Sequence, residues 1–233
     1  MNGIVKDERE KLKADAARRA VEFVKPSMIV GLGTGSTVFY ALQEIGKLIS
    51  NGLEITGVAT SIGTENLANE LNIPLISFNE AETIDLVIDG ADEIDPELNM
   101  IKGGGGALTR EKLIALNAKQ RIIIIDETKL VSRLGEKYRL PVEVLPFCWR
   151  PVSNQLVMLN CSPQLRRNSN SILETDNGNY ILDCQFPGID EAGELEREIK
   201  LISGIVESGL FIGLADIVVV AGATGVNLLY KKG

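Results

Sequence analysis

The chain has 233 residues, 45% of them hydrophobic and 24% charged, enough to bury a real core as one sizeable domain or as a main domain carrying a smaller one. Its net charge of -8, from 24 basic and 32 acidic residues, argues against nucleic acid or an anionic membrane as partner, so an anionic ligand would need a local positive pocket. With no histidine anywhere, Ser-His-Asp hydrolysis, His-ligated zinc and imidazole acid–base chemistry are excluded, and proton transfer falls to carboxylate, lysine, tyrosine, cysteine or water. No apolar run approaches the roughly 20 residues that span a bilayer. The polar stretch Met1–Lys13 reads as neither signal peptide nor anchor. Cys148, Cys161 and Cys184 are odd in number and lack metal-ligand spacing, which fits buried or free thiols in a reducing compartment. A cytoplasmic location is expected, with a plastid location after removal of a transit peptide as the alternative.

Apolar positions Leu12, Ala16, Ala17, Ala20, Val21 and Val24 predict an amphipathic helix over about 7–24, ended by Lys25-Pro26. Met28–Leu32 reads as a short buried strand running into Gly33-Thr34-Gly35-Ser36-Thr37. A second helix follows, with Val38, Ala41, Leu42, Ile45 and Leu48 facing inward. A strand, a glycine–hydroxyl turn and a helix N-terminus make an anion site, because unpaired N–H groups and the helix dipole both favour phosphate. The run from Gly31 to Ser36 fails the dinucleotide pattern at its sixth position and lacks the Gly-Lys-Ser/Thr ending of a P-loop. A phosphomonoester therefore fits better than a nucleotide, and a simple capped strand-to-helix turn is the alternative.

Strand character returns at Glu54–Val58, Thr60-Ser61 cap a helix reaching Leu71, and Pro74–Ile76 and Ile84–Ile88 are strand-like. A helix is predicted over Thr109–Lys119 with Leu113, Ile114 and Leu116 facing inward, and Ile122–Asp126 reads as a buried parallel strand. This alternation predicts an α/β fold, a mainly parallel sheet with helices on both faces. Further on, the prolines of Leu140–Pro146 point to an edge or isolated strand. A helix around Val152–Asn160 and a helix over Glu191–Ile202 flank Ser171–Thr175 and Tyr180–Cys184, which read as a hairpin around Asp176-Asn177-Gly178-Asn179. Ile205–Phe211 and Asp216–Val220 are expected to rejoin the main sheet. The expected division is a Rossmann-like domain, 1–133 and 206–233, with a small α+β insertion over 134–205.

The densest chemistry lies in Asp89-Gly90-Ala91-Asp92-Glu93-Ile94-Asp95, followed by Lys102-Gly103-Gly104-Gly105-Gly106 and Thr109-Arg110-Glu111-Lys112. Asp89 stands at the C-terminal end of its strand, where parallel α/β sheets bind ligands. Carboxylates beside a lysine suit proton movement between oxygen and carbon, the glycines let backbone N–H groups approach a substrate oxygen, and Glu111 just inside a helix suits a rigid base. A Mg²⁺ or Ca²⁺ site and a solvated acidic loop are the other readings of the same spacing, although the EF-hand pattern is not met.

The blocks Gly33–Thr37, Asp89–Glu93, Lys102–Ala107 and Thr109–Lys112 stand in an order that resembles ribose-5-phosphate isomerase of the A type. Asp126–Lys129, Leu140–Val144, Thr175–Asn179 and Gly204–Phe211 are similar to that family's later blocks. The resemblance covers nearly the whole chain. It implies interconversion of D-ribose 5-phosphate and D-ribulose 5-phosphate in the non-oxidative pentose phosphate pathway, without metal or organic cofactor. It also implies a Rossmann-like domain with a small α+β (ferredoxin-like) domain, and a homodimer or homotetramer acting on a small sugar phosphate. Carried over by position, Glu111 matches the proton acceptor, and Asp89, Asp92 and Lys102 match the other catalytic positions. Thr34, Gly35, Ser36, Thr37, Gly90, Ala91, Gly103, Gly104, Gly105 and Lys129 match substrate-binding positions, and Lys13 aligns loosely with a lysine near the phosphate. An amino-sugar phosphate isomerase/deaminase or a CoA transferase would call for a histidine relay or a glutamate nucleophile motif, and a sugar-phosphate-sensing regulator for a basic DNA-binding segment. None is evident.

Overall fold

A computed structural model describes residues 6–169 and 171–231; the start of the polar N-terminal stretch, 1–5, lies outside the described residues. In chain order, helix α1 (Lys6–Val21) is followed by strand β1 (Ile29–Leu32), helix α2 (Ser36–Ser50), strand β2 (Thr56–Ala59), helix α3 (Ile62–Glu70) and strand β3 (Ile84–Gly90). Short strands β4 (Glu93–Ile94) and β5 (Met100–Ile101) precede helix α4 (Leu108–Leu116) and strand β6 (Ala118–Asp126). Strand β7 (Leu140–Val144), helix α5 (Trp149–Val157), strand β8 (Ser162–Leu165) and the short strands β9 (Arg167–Asn168) and β10 (Ser171–Ile172) come next. Strand β11 (Tyr180–Gln185), helix α6 (Ala192–Lys200) and strands β12 (Ile205–Ser208), β13 (Leu210–Phe211), β14 (Ile217–Gly222) and β15 (Gly225–Tyr230) complete the order.

The chain divides into two compact units, one comprising residues up to Gly90, Leu113–Lys129 and from Leu214 onward, the other Ala91–Lys112 and Leu130–Gly213. The expected insertion, 134–205, lies inside the second unit's longer segment.

The first unit is built on a six-stranded sheet, ordered β15-β14-β6-β3-β1-β2, in which every neighbouring pair is parallel except β14 with β15. Strands buried on both faces read as continuous apolar runs, and Ile122 to Ile125 are all buried. One face carries Val30, Leu32, Leu86, Ile88, Ile122 and Ile124 against Ala16, Ala17 and Ala20 of α1 and Val38, Ala41 and Ile45 of α2. On the other face Val58, Ile84 and Val87 pack with Ile114 of α4. The α4 contact is tight: a Cβ on Gly31 would stand 2.5 Å from Val87 Cγ2 and 2.7 Å from Ile114 Cγ2. Ile114 alone takes the inward position. Leu113 and Leu116, expected beside it, are 45% and 54% exposed, because the turn that aims Ile114 at Gly31 swings its neighbours outward. Leu48 of α2 is likewise on the exposed side. No helix among the described residues is long and apolar enough to cross a membrane.

The second unit holds an antiparallel sheet ordered β12-β7-β11-β8, with α5 and α6 in the βαββαβ connection of a ferredoxin-like fold. A three-stranded sheet, β13-β5-β4, belongs to the same unit. Three local expectations change here. Leu140–Val144 is an interior strand, paired to β11 and β12, not an edge. Its Pro141 is tolerated because it lies opposite Gly209, where β12 has just ended: the Gly209 carbonyl takes the Lys102 N–H (2.9 Å), while Gly209 N–H donates to Pro141 O (2.7 Å). Ser171-Ile172 pairs with β9, and β11 pairs with β7 and β8, so the expected hairpin is a turn. That turn is organised by a buried carboxylate. Glu143 accepts from Thr175 Oγ1 (2.8 Å), Asn177 Nδ2 (3.1 Å), Asn179 Nδ2 (2.9 Å) and the Thr109 hydroxyl. Finally, Ile205–Phe211 does not rejoin the main sheet; β12 pairs with β7 and β13 with β5, and the return to it is made by β14, parallel to β6, with β15 beside it.

Two substitutions probe this packing. Gly31→Ala forces its new methyl group into Val87 and Ile114 and is expected to cost about 1–3 kcal/mol, read as a lower urea midpoint. Glu143→Ala strips four donors of their shared acceptor in a fully buried site and should cost on the order of 3 kcal/mol, whereas Leu201→Ala, at 84% exposure, should change the midpoint little.

Candidate active site

In the first unit the candidate residues collect at the C-terminal ends of neighbouring parallel strands. Strand β1 connects onward to β2 on one side, whereas β3 and β6 lie on its other side, so β1 and β3 flank the point where the strand order reverses. Ligands bind in that crevice in open α/β sheets. Gly33 leaves β1 there, its N–H bonded to Ile88 O (3.0 Å), and Asp89 leaves β3 beside it. Any Cβ on Gly33 would stand 2.3 Å from Asp89 Oδ1, so only glycine lets the two loops touch. The Asp89 carboxylate, 2% exposed, accepts from Thr34 N (3.2 Å) and Gly90 N (2.7 Å). Lys129 sits in a single 3₁₀ turn, Glu127–Lys129, at the end of β6.

Thr34 to Thr37 form the entry to α2. Gly35 is the N-cap at φ 121°, a conformation suited to glycine, and no side chain caps the helix. Gly35 and Ser36 are exposed, as an anion-binding end requires. The Thr34 hydroxyl lies within hydrogen-bond distance of Thr60 Oγ1 (2.7 Å), Ser61 Oγ (2.8 Å) and Thr64 Oγ1 (3.1 Å). Thr60 and Thr64 in turn donate to Leu32 O (2.9 Å) and Gly33 O (2.7 Å). Ser61 caps α3, as its position before that helix predicted, but the roles of Thr60 and Thr64 in bracing the loop are new. A cleft of about 400 Å³ opens along this loop, lined among others by Glu10, Thr34, Ser36, Phe39, Tyr40 and Thr64. Lys13 Nζ bonds Glu10 Oε1 (2.8 Å), and Tyr40 donates to Glu10 Oε2 (2.6 Å), a bond that pushes the Tyr40 phenol above its ordinary pKa.

The second unit contains Ala91, Asp92, Lys102, the glycine loop and Glu111. Asp92 Oδ2 accepts from Gly104 N (2.8 Å). Gly103 has φ 104°, and Gly106 N–H closes the loop onto Gly103 O at 3.0 Å, leaving Gly105 exposed at its tip. From the loop's other side Arg166 donates to Gly103 O (2.8 Å) and Gly104 O (3.2 Å) while paired with Asp183. Tyr138 completes this wall: a Cβ on Gly104 would stand 2.6 Å from its hydroxyl. Burial, then the charge of Asp92, raises the Tyr138 pKa. Arg166 and Tyr138 escaped sequence reading because neither lies in a glycine or carboxylate motif.

Lys102 Nζ stands 3.4 Å from Glu111 Oε1, with the two side chains 4% and 5% exposed. Glu111 therefore faces Lys102, not its chain neighbours. Lys112 bonds Glu196 (2.9 Å) and Glu207 (2.8 Å), and Arg110 bonds Asn177 Oδ1 and Asp176 O (both 2.8 Å). The remaining acidic residues are structural. Glu93, fully buried, accepts from the N–H groups of Gly135 (2.6 Å), Tyr138 (2.6 Å) and Lys137, and Asp95 Oδ1 closes a turn onto Glu97 N (2.9 Å) and Asn99 N (2.8 Å). Among the described residues no group of three carboxylates or thiols converges as a metal site would need.

Comparison with known proteins bears on the family and the fold. The family described as Ribose 5-phosphate isomerase A (phosphoriboisomerase A) matches residues 56–225. Ribose-5-phosphate isomerase A 1 of Oceanobacillus iheyensis is 47% identical over 215 residues, covering 92% of this chain and 96% of the relative. The structure of a ribose 5-phosphate isomerase A from Methanocaldococcus jannaschii superposes with a TM-score of 0.92 at 40% identity, over 96% of this chain and 100% of that one. A D-ribose-5-phosphate isomerase in complex with phospho-erythronic acid superposes with a TM-score of 0.93, also at 40% identity, over 99% and 100% of the two chains. On sequence and on fold alike, the chain belongs to the ribose 5-phosphate isomerase A family.

Proposed function

We propose that the chain is an aldose–ketose isomerase interconverting D-ribose 5-phosphate and D-ribulose 5-phosphate, with Glu111 as the base. The observation that carries the mechanism is the buried Lys102–Glu111 pair, held 3.4 Å apart with Lys102 just before and Glu111 just after a loop of four glycines. A carboxylate beside an ammonium group supplies a proton acceptor and a partner for developing negative charge within one water-poor site.

Asp89 or Asp92, with Lys102, assists opening of the furanose ring. Glu111 then removes the proton from C2 and returns it to C1 through a cis-enediolate. Lys102 and the N–H groups of Gly103 and Gly105 stabilise the oxyanion as it forms, the kind of preorganised electrostatic contribution that is usually the largest in such reactions. Thr34, Gly35, Ser36 and Thr37 hold the phosphate with Lys129, while Gly90 and Ala91 contact the sugar. Binding energy at the phosphate thereby orients the reacting carbons. The relative bound to phospho-erythronic acid supports a phosphorylated sugar-like ligand. We extend the proposal to a homodimer or homotetramer acting in the cytoplasm without a cofactor, a reading supported by the resemblance to the family.

Direct assay with ribose 5-phosphate, following ketose formation, tests the assignment; no ketose above the uncatalysed rate would overturn it. Glu111→Gln should abolish isomerisation while substrate binding stays within a few-fold, and full activity in that variant would remove Glu111 as base. Thr34→Val leaves Thr60, Ser61 and Thr64 without their shared partner, so KM should rise about tenfold with kcat little changed. Prolonged treatment with EDTA should leave the rate unaltered; a loss restored by Mg²⁺ would return the acidic cluster to a metal-binding reading.

A further inference from the structure

The segment Gly209-Leu210-Phe211 has no role in the reaction as set out above, yet it touches Lys102 twice. Strand β13 runs antiparallel to β5, with Leu210 opposite Ile101, which directly precedes Lys102. The Lys102 N–H donates to Gly209 O at 2.9 Å. A Cβ on Gly209 would stand 2.3 Å from Lys102 O, so the backbone approach is as close as glycine alone permits. At the other end of the side chain, Lys102 Nζ lies 5.5 Å from the centroid of the Phe211 ring. This is within the range where the ring's negative face attracts a cation.

The ring is itself immobilised. Phe211 is 1% exposed, and a second ammonium, Lys112 Nζ, lies 5.1 Å from its centroid. Lys112 is anchored by Glu196 and Glu207, and Lys200 Nζ approaches Glu207 Oε2 at 3.5 Å, so the charge of Lys112 is balanced. Glu111 on α4 and the Phe211 ring on β13 thus stand beside Lys102, and the same ring has Lys112 as a second cation.

We infer that Phe211 is a positioning residue for the isomerisation: its ring holds the Lys102 ammonium by a cation–π contact at the place where Glu111 and the developing oxyanion need it. This rests on the reading of Lys102 as the oxyanion partner. A ring serves that purpose because it attracts the cation without accepting a hydrogen bond. A carboxylate in the same place would compete with Glu111 and the substrate for the donors of the ammonium.

The decisive experiment replaces Phe211 in the full-length enzyme by 4-fluoro-, 3,5-difluoro- and 3,4,5-trifluorophenylalanine. Fluorine drains the ring's negative face with little change of shape, so a purely packing role is unaffected by it. The expected result is a stepwise fall in kcat with each added fluorine, about three- to thirty-fold overall, with KM within twofold. Phe211→Leu, assayed well below its melting midpoint, should fall at least as far. Lys102→Met is measured in parallel. If Lys102→Met keeps its kcat, the underlying reading of Lys102 fails and the inference with it. If Lys102→Met is inactive while the fluorinated series retains full kcat, the Phe211 inference alone is overturned.

Discussion

A buried ammonium–carboxylate pair is the constraint around which the second unit is arranged. Taking Lys102 and Glu111 out of water is costly, and their attraction repays that cost only with close geometry and supporting contacts. The chain supplies those contacts from distant segments. Gly209 admits the Lys102 backbone, and Pro141, which has no N–H, leaves the Gly209 carbonyl to the Lys102 amide. Glu143, deep in β7, binds the Thr109 hydroxyl two residues before Glu111 and so ties the start of α4 to the sheet. In a chain without histidine, the buried lysines Lys102 and Lys112 both meet carboxylates, and each is fixed from more than one side.

The first unit meets a related problem in another way. Asp89 is buried beside a glycine that no other residue could replace without collision, and its carboxylate takes N–H groups from the two loops it joins. Glu93, four residues along and already in the second unit, accepts backbone donors from a single loop. Acidic residues adjacent in sequence thus have separate assignments: some held with a face toward a crevice, others consumed in holding a turn.

Much of this was legible in the residues. Apolar periodicity located α1 and α2, the Thr60-Ser61 cap signalled α3, the Ile122–Asp126 run marked an interior parallel strand, and the glycine and carboxylate motifs pointed to the loops where the candidate residues stand. What misled was local chemistry that tertiary pairing overrides. The prolines around Val142 argued for an edge, but a missing N–H matters only where a partner carbonyl has no other donor. Asp176–Asn179 has hairpin composition, yet its amides are directed at Glu143 and its flanking strands pair elsewhere. Arg166, Tyr138 and Thr64 carried no signal of their own, and Thr60 only that of a helix cap. An isolated arginine or threonine announces a role only once the fold shows which carbonyl it meets.

The hydroxyl cluster around Thr34 has a consequence for where hydrogens point. A hydroxyl carries one hydrogen, and those of Thr60 and Thr64 go to Leu32 O and Gly33 O. Both therefore meet the Thr34 oxygen as acceptors, and its single hydrogen is shared among them and Ser61. Main-chain carbonyls at the end of β1 thus decide which way the side-chain hydrogens of another loop turn.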